Sequence, residues 1–144
     1  MAKKKRGWMQ GTFTPNNPEK YVGNVSQIIY RSSWELSFNK FLDSNPNIIA
    51  WNSEEIAIPY KHPFKNKMAR YYPDYWVKYK TKDGTIKAEI IEVKPKNQVN
   101  KPRGGNKYDQ MRWIVNMEKW KAARMFCDKN NVVFRILTEN SLFL

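Results

Sequence analysis

The chain has 144 residues, of which 26 are Lys or Arg and 13 are Asp or Glu, for a formal net charge of +13 at pH 7. With 6 Trp, 8 Tyr and 7 Phe, it is too aromatic to be a disordered chain, and its length suits about one domain. One Cys and one His exclude a disulfide framework and a His/Cys zinc centre, and no apolar run approaches the roughly 18 residues of a membrane span.

The start, Met-Ala-Lys-Lys-Lys-Arg, is basic, but no apolar stretch follows, so it does not read as a signal peptide. The expectation is a soluble, intracellular protein. Its charge points to a polyanionic partner, nucleic acid first. A basic surface with no such partner is the plainer reading. An anionic membrane suits it less, because no long basic amphipathic helix is present.

Residues 1–27 read as a basic, poorly structured arm, with Lys3, Lys4, Lys5, Arg6 and a Pro15 to Pro18 cluster. Residues 28–144 read as a single domain. A helix is expected from Ser32 to Asp43, because Trp34, Phe38, Phe41 and Leu42 share one helical face. Asn45-Pro46 ends it. Short strands are expected at 48–51 and 55–60, then longer ones at 71–80 and 86–94. Asp83-Gly84 between the last two is a hairpin signal. Residues 95–107 form a basic, turn-rich loop. A second helix at 108–128 carries Trp113, Ile114, Met117, Trp120, Ala123 and Cys127 on its apolar face. Asn130-Asn131 suits a left-handed stop. A strand at 132–137 follows. The fold class is α/β, a mixed-sheet layer sandwich with helices flanking the sheet, its last helix crossing over to a parallel strand.

Four side chains can work together. Glu92 and Lys94 are two apart on a strand and so share a face. Asp74 follows Pro73, which belongs at a strand start or edge because it cannot donate to a ladder. Glu35 sits in the first turn of the first helix. A phosphodiester repels an attacking water. A divalent metal neutralises it and lowers the pKa of bound water. Mg²⁺ prefers carboxylate oxygens and keeps several waters. Asp74, Glu92 and Glu35 are therefore candidate ligands for Mg²⁺ or Mn²⁺, and Lys94 a group that orients or deprotonates water.

Pro73-Asp74 followed by Glu92-Val93-Lys94 resembles the motif of the PD-(D/E)xK nuclease superfamily. The element order is similar to that superfamily's restriction-endonuclease-like core of helix, three strands, helix, strand. Tyr30-Arg31-Ser32-Ser33-Trp34-Glu35 resembles the helix that supplies an acidic ligand in its transposase-type endonucleases. Across nearly the whole chain, Trp51-Asn52-Ser53-Glu54-Glu55, Ile58-Pro59-Tyr60, Ile91-Glu92-Val93-Lys94-Pro95-Lys96 and Lys119-Trp120-Lys121-Ala122-Ala123 look like the head-completion nucleases of T4-like tailed phages. That resemblance implies a metal-dependent deoxyribonuclease acting on double-stranded DNA late in assembly. It also implies phage head or portal-vertex proteins as partners, no membrane, and a place in the host cytoplasm or the virion.

Plainer readings stand beside these. Ser32-x-x-Glu35 is also a capping box. Asp74 reads equally as a solvated strand-end carboxylate, and Glu92-Lys94 as a surface pair worth under about 1 kcal/mol. Against this, Ile90, Ile91 and Val93 surround Glu92, and a half-buried carboxylate without a partner is costly. His62, between Lys61 and Pro63, reads as an exposed loop residue, and Cys127 as core. Arg31, Lys96, Lys101, Arg103 and Lys107 suit phosphate contacts. Two rivals remain: a non-catalytic DNA-binding assembly factor, and a nuclease of transposition or junction resolution.

The hairpin supplies a geometric condition. A two-residue Asp83-Gly84 turn in a regular ladder puts Asp74 and Glu92 on opposite faces. A three-residue loop, Lys82-Asp83-Gly84, pairs Thr81 with Thr85 and sets Asp74 across from Glu92, with Gly84 left-handed. The three-residue loop, or another odd shift of register, is expected.

Overall fold

The computed structural model describes residues 10–138. Lys3, Lys4, Lys5 and Arg6 of the expected arm lie outside them. In chain order the elements are β1 (Gly11–Thr12), β2 (Ile29–Tyr30), α1 (Ser33–Ser44), β3 (Ile48–Ser53), β4 (Ile58–His62), β5 (Lys67–Tyr71), β6 (Tyr75–Lys80), β7 (Ile86–Val93), α2 (Lys107–Asn130) and β8 (Val133–Leu137). Short 3₁₀ turns cover Pro18–Lys20, Val25–Gln27 and Lys96–Gln98. β3, β6, β7 and β8 form one sheet in that order. β7 and β8 are parallel, while β6 and β7 meet through a tight hairpin, so the sheet is mixed. This is the α/β class expected.

The chain divides into two compact units, each discontinuous in sequence. Residues up to Ser53 with Val77–Lys87 form one, and Glu54–Trp76 with residues from Ala88 onward form the other.

In the first unit, residues 10–27 are held in place, contrary to the expected loose arm. Trp51 is fully buried, with Tyr21 and Phe13 edge-on to it at 4.8 and 6.1 Å. The buried Asp43 carboxylate accepts from Asn16 N and Asn17 N at 2.7 and 2.9 Å. Lys20 Nζ donates to the Asp43 and Asn45 carbonyls at the end of α1, the place where a helix leaves acceptors unused. Pro and Asn composition suggests a loose segment, yet these long-range bonds order it. α1 buries Phe38 and Leu42, while Phe41, on the expected stripe, is exposed.

The hairpin loop is the three-residue form. Thr81 N donates to Thr85 O at 2.8 Å, and Gly84 N to Thr81 O at 3.0 Å. Gly84 has φ +89°, a conformation that favours glycine. Counted regularly from the Thr81–Thr85 pair, the residue opposite Asp74 is Glu92.

The second unit is built on α2. The antiparallel β4–β5 hairpin and Ile90 of β7 share its core with Trp120, Ala123 and Cys127, all buried. The strand expected over 71–80 is in fact broken at Pro73: Tyr71 ends β5 and Tyr75 begins β6. A residue without an N–H interrupts the ladder there. β5 itself was not expected, since Lys67-Met68-Ala69-Arg70 has neither β-branched residues nor alternation. Five strands therefore stand between the helices, one more than the four expected along the chain. His62 ends β4 instead of lying in a loop, and its Nδ1 accepts from Phe64 N at 3.2 Å. α2 starts at the cap Asn106, whose side chain accepts from Asp109 N, and stops at left-handed Asn131, as expected.

Candidate active site at the end of β7

Glu92 and Ile90 alternate onto the same face of β7. Ile90 belongs to the apolar core, so Glu92 is carried inward and is only 6 % exposed. Such a carboxylate needs donors. The Tyr71 hydroxyl donates to Glu92 Oε1 at 2.7 Å, and Lys94 Nζ lies 3.6 Å from Oε2. Lys94 is fixed in turn where β7 meets β8, its N–H donating to Leu137 O at 2.9 Å.

Asp74 sits half-buried just before β6. Its Oδ2 accepts from Val93 N at 2.7 Å, and its carbonyl accepts from Glu54 N at 3.2 Å. The carboxylate is thus anchored on the backbone next to Glu92. Pro73, Asp74, Glu92 and Lys94 all lie in the second unit.

Electrostatics mark this corner. Burial pushes the Glu92 carboxyl above its ordinary range, against the Tyr71 hydrogen bond and the charges of Lys94 and Lys119. Burial, then Glu92, then Asp74 push the Tyr71 hydroxyl far up, so it stays a neutral donor. Lys119 of α2 is lowered, first by burial and then by Lys94, while Glu92 opposes the shift. Its ammonium lies 5.9 and 5.8 Å from the Tyr60 and Tyr71 ring centres, a distance at which the ring quadrupole attracts it.

Tyr71 and Lys119 escape the sequence reading. Tyr71 falls in a strand whose break at Pro73 went unseen, and Lys119 enters only as part of the Lys119-Trp120-Lys121-Ala122-Ala123 segment. A lysine flanking the apolar face of α2, within a segment matching the phage nucleases, was the available signal.

Glu35 lies in the first unit and caps α1. Ser32 Oγ accepts from Glu35 N at 3.2 Å, and Glu35 Oε1 accepts from Arg31 N. The return bond goes to Arg31, one residue earlier than the usual box. Arg31, Lys96, Lys101, Arg103 and Lys107 are exposed.

The donor set fits Mg²⁺ in kind. Among the described residues no group of three or more His, Cys, Asp or Glu gathers. Two carboxylates with hard oxygens suit an ion that keeps several waters and takes phosphate oxygens as further ligands.

The family model "TnsA-like endonuclease N terminal" matches residues 45–139. The chain is also similar to the head completion nuclease of Enterobacteria phage T4, at 39% identity over 142 residues, covering 92% of each chain. No solved structure matches it.

Proposed function

As the chain belongs to the TnsA-like endonuclease N-terminal family, a nuclease family, we propose that it hydrolyses the phosphodiester bonds of double-stranded DNA with Mg²⁺ or Mn²⁺, by PD-(D/E)xK chemistry, and acts in phage head completion. The relative's name, head completion nuclease, supports the assembly role and suggests head or portal-vertex proteins as partners. The observation that carries the chemistry is the buried Glu92, braced by Tyr71 and Lys94 beside backbone-anchored Asp74.

In this reading Asp74 and Glu92 hold the ion. When bound, it supplies charge neutralisation at the phosphate and acidifies a water. Lys94 orients the attacking water and offsets charge developing on the phosphate. Tyr71 holds one Glu92 oxygen and so fixes which way the carboxylate faces. Lys119 adds a second cation whose charge favours the ionised Glu92. Glu35 is the third carboxylate that the superfamily resemblance assigns. Arg31, Lys96, Lys101, Arg103 and Lys107 contact phosphates along the duplex.

The test is incubation of plasmid DNA with purified protein in Mg²⁺ and in chelator, wild type against Asp74→Ala. Nicking or linearisation is expected only for wild type with metal. Equal cutting in chelator would sink the metal mechanism, and equal cutting by Asp74→Ala would sink the site.

A further inference from the structure

Among the described residues β4 and β5 pair only with each other, as a two-stranded ribbon with one face on α2. On that face Ile58, Tyr60 and Tyr71 are buried in the core. His62 and the residue opposed to it, Lys67, continue the same face beyond the core. The turn adds Lys65, and the outer face adds Lys61 and Arg70, all exposed. From Ile56 to Pro73 the sequence holds these four cations and His62 but no Asp or Glu. Among the described residues none of the four has an ion-pair partner. Such a cluster repels itself until an anion covers it.

His62 is the fixed point of the patch. Its ring lies 6.1 Å from that of Tyr60 and 6.2 Å from that of Phe64, and its Nδ1 accepts from Phe64 N at 3.2 Å. The proton of the neutral ring therefore sits on Nε2, which donates. Desolvation, then Lys65, Lys119 and Lys67, holds the imidazole below its ordinary pKa, so the ring is a neutral donor at pH 7.

Lys119 ties the patch to the catalytic corner. Its ammonium is 5.9 Å from the Tyr60 ring centre, and the charges of Lys94 and Glu92 act on it. Lys119, His62, Lys67 and Lys65 form a basic track from that corner to the tip of the ribbon, all within the second unit. Phosphates of one strand follow one another at about 3.4 Å along a duplex, so the track covers several of them. An acidic protein surface matches the charge as well, but continuity with the corner where the scissile phosphate is placed favours DNA.

We propose that the β4–β5 ribbon is a second DNA-gripping element beside the loop of 95–107, with Lys65, Lys67 and the His62 Nε2–H taking the phosphates of the strand that leaves the scissile position past Lys119. The inference rests on the nuclease reading for the place of that scissile phosphate.

The test is binding to a duplex in chelator, where nothing is cut, across a salt series. The variants are Lys65→Ala with Lys67→Ala, and His62→Ala. The control is Lys82→Ala with Lys87→Ala, exposed lysines at the β6–β7 hairpin whose loss removes the same net charge elsewhere. The ribbon double variant should reduce the log–log salt slope by about 2, one for each phosphate no longer neutralised. The control should keep the wild-type slope. His62→Ala should bind about tenfold more weakly at an unchanged slope, because a neutral donor displaces no counterion. Equal reductions for ribbon and control would trace the effect to net charge and overturn the proposal. No reduction from the ribbon variant would also overturn it and leave the patch to an acidic protein. Separately, if wild type cuts no DNA in Mg²⁺ while the ribbon variant still lowers the slope in chelator, the nuclease reading falls and the DNA grip stands.

Discussion

The Tyr71 hydroxyl donates to Glu92 Oε1 at 2.7 Å, joining the last residue of β5 to the buried carboxylate of β7. Burial and two neighbouring carboxylates hold that hydroxyl neutral, so it donates throughout the working pH range.

Tyr71→Phe removes this donor and leaves a buried carboxylate oxygen short of one bond. The hydrogen bond lowers the Glu92 pKa against burial, so its loss raises the pKa further. In the proposed reading it is ionised Glu92 that binds the cation, so the acid limb of the pH–rate profile should move to higher pH. Metal affinity should fall about 10- to 100-fold, the usual effect of removing a partner that orients a ligand. Calorimetric titration with Ca²⁺ and the pH profile of plasmid cleavage read the two effects. An unmoved acid limb with unchanged Ca²⁺ affinity would remove Tyr71 from the site.

Glu92→Gln tests the cost of the buried charge. The folded-state pKa of Glu92 is raised. A group shifted upward favours the fold below its unfolded-state pKa, and that benefit disappears as pH rises through the folded value. As pH rises, the metal-free fold therefore has to carry a buried carboxylate charge at a growing cost. Gln accepts the Tyr71 hydrogen bond without the charge. The metal-free variant should gain stability relative to wild type as pH rises through the neutral range. Its advantage should vanish at acid pH, and cutting should be abolished. Thermal melts at acid and neutral pH, in chelator, check this; a variant that loses stability relative to wild type as pH rises would contradict it.

How far the sequence was legible depends on which interaction decides each residue. Glu92 and Lys94 are set by strand alternation, and Gly84 by turn chemistry, so their arrangement is readable. The hairpin loop also brings Asp74 into register, because a three-residue loop is an odd shift. Tyr71 was lost because β5 lacks a strand pattern: Lys67 to Arg70 pair with β4 through the backbone, and backbone pairing leaves no trace in side-chain type. Lys119 was lost because its position depends on α2 lying against Tyr60 and Tyr71, a tertiary contact. Residues 10–27 look loose by composition, and Asp43 and Trp51, far along the chain, are among the residues that hold them.

Glu35 carries two assignments, and one substitution separates them. Its carboxylate accepts from Arg31 N while Ser32 Oγ accepts from its own N–H. Gln preserves such a cap, since its carbonyl oxygen accepts the same bond. It does not preserve a charged ligand. For Glu35→Gln the expectation is an unchanged Tm within about 1 kcal/mol equivalent and a loss of cutting of more than about 100-fold, on the scale of a missing ligand. Melting and plasmid cleavage on one preparation decide it. Full activity with an intact fold would leave Glu35 as a cap alone.

Salt dependence tests how DNA is held. The net charge of +13 and the exposed Lys96, Lys101, Arg103 and Lys107 around the loop before α2 favour phosphate contacts over base-edge readout on paired duplex. Each phosphate neutralised releases counterions, so log affinity should fall with log salt at about −0.9 per contact. Changing Lys101 and Arg103 together to Ala removes two such contacts and should reduce the slope by about 2. The loss should be equal on unrelated duplex sequences, because phosphates carry no sequence identity. Binding in chelator across a salt series, on two unrelated duplexes, gives both numbers. An unchanged slope, or weakening confined to one sequence, would move the DNA contact away from this loop.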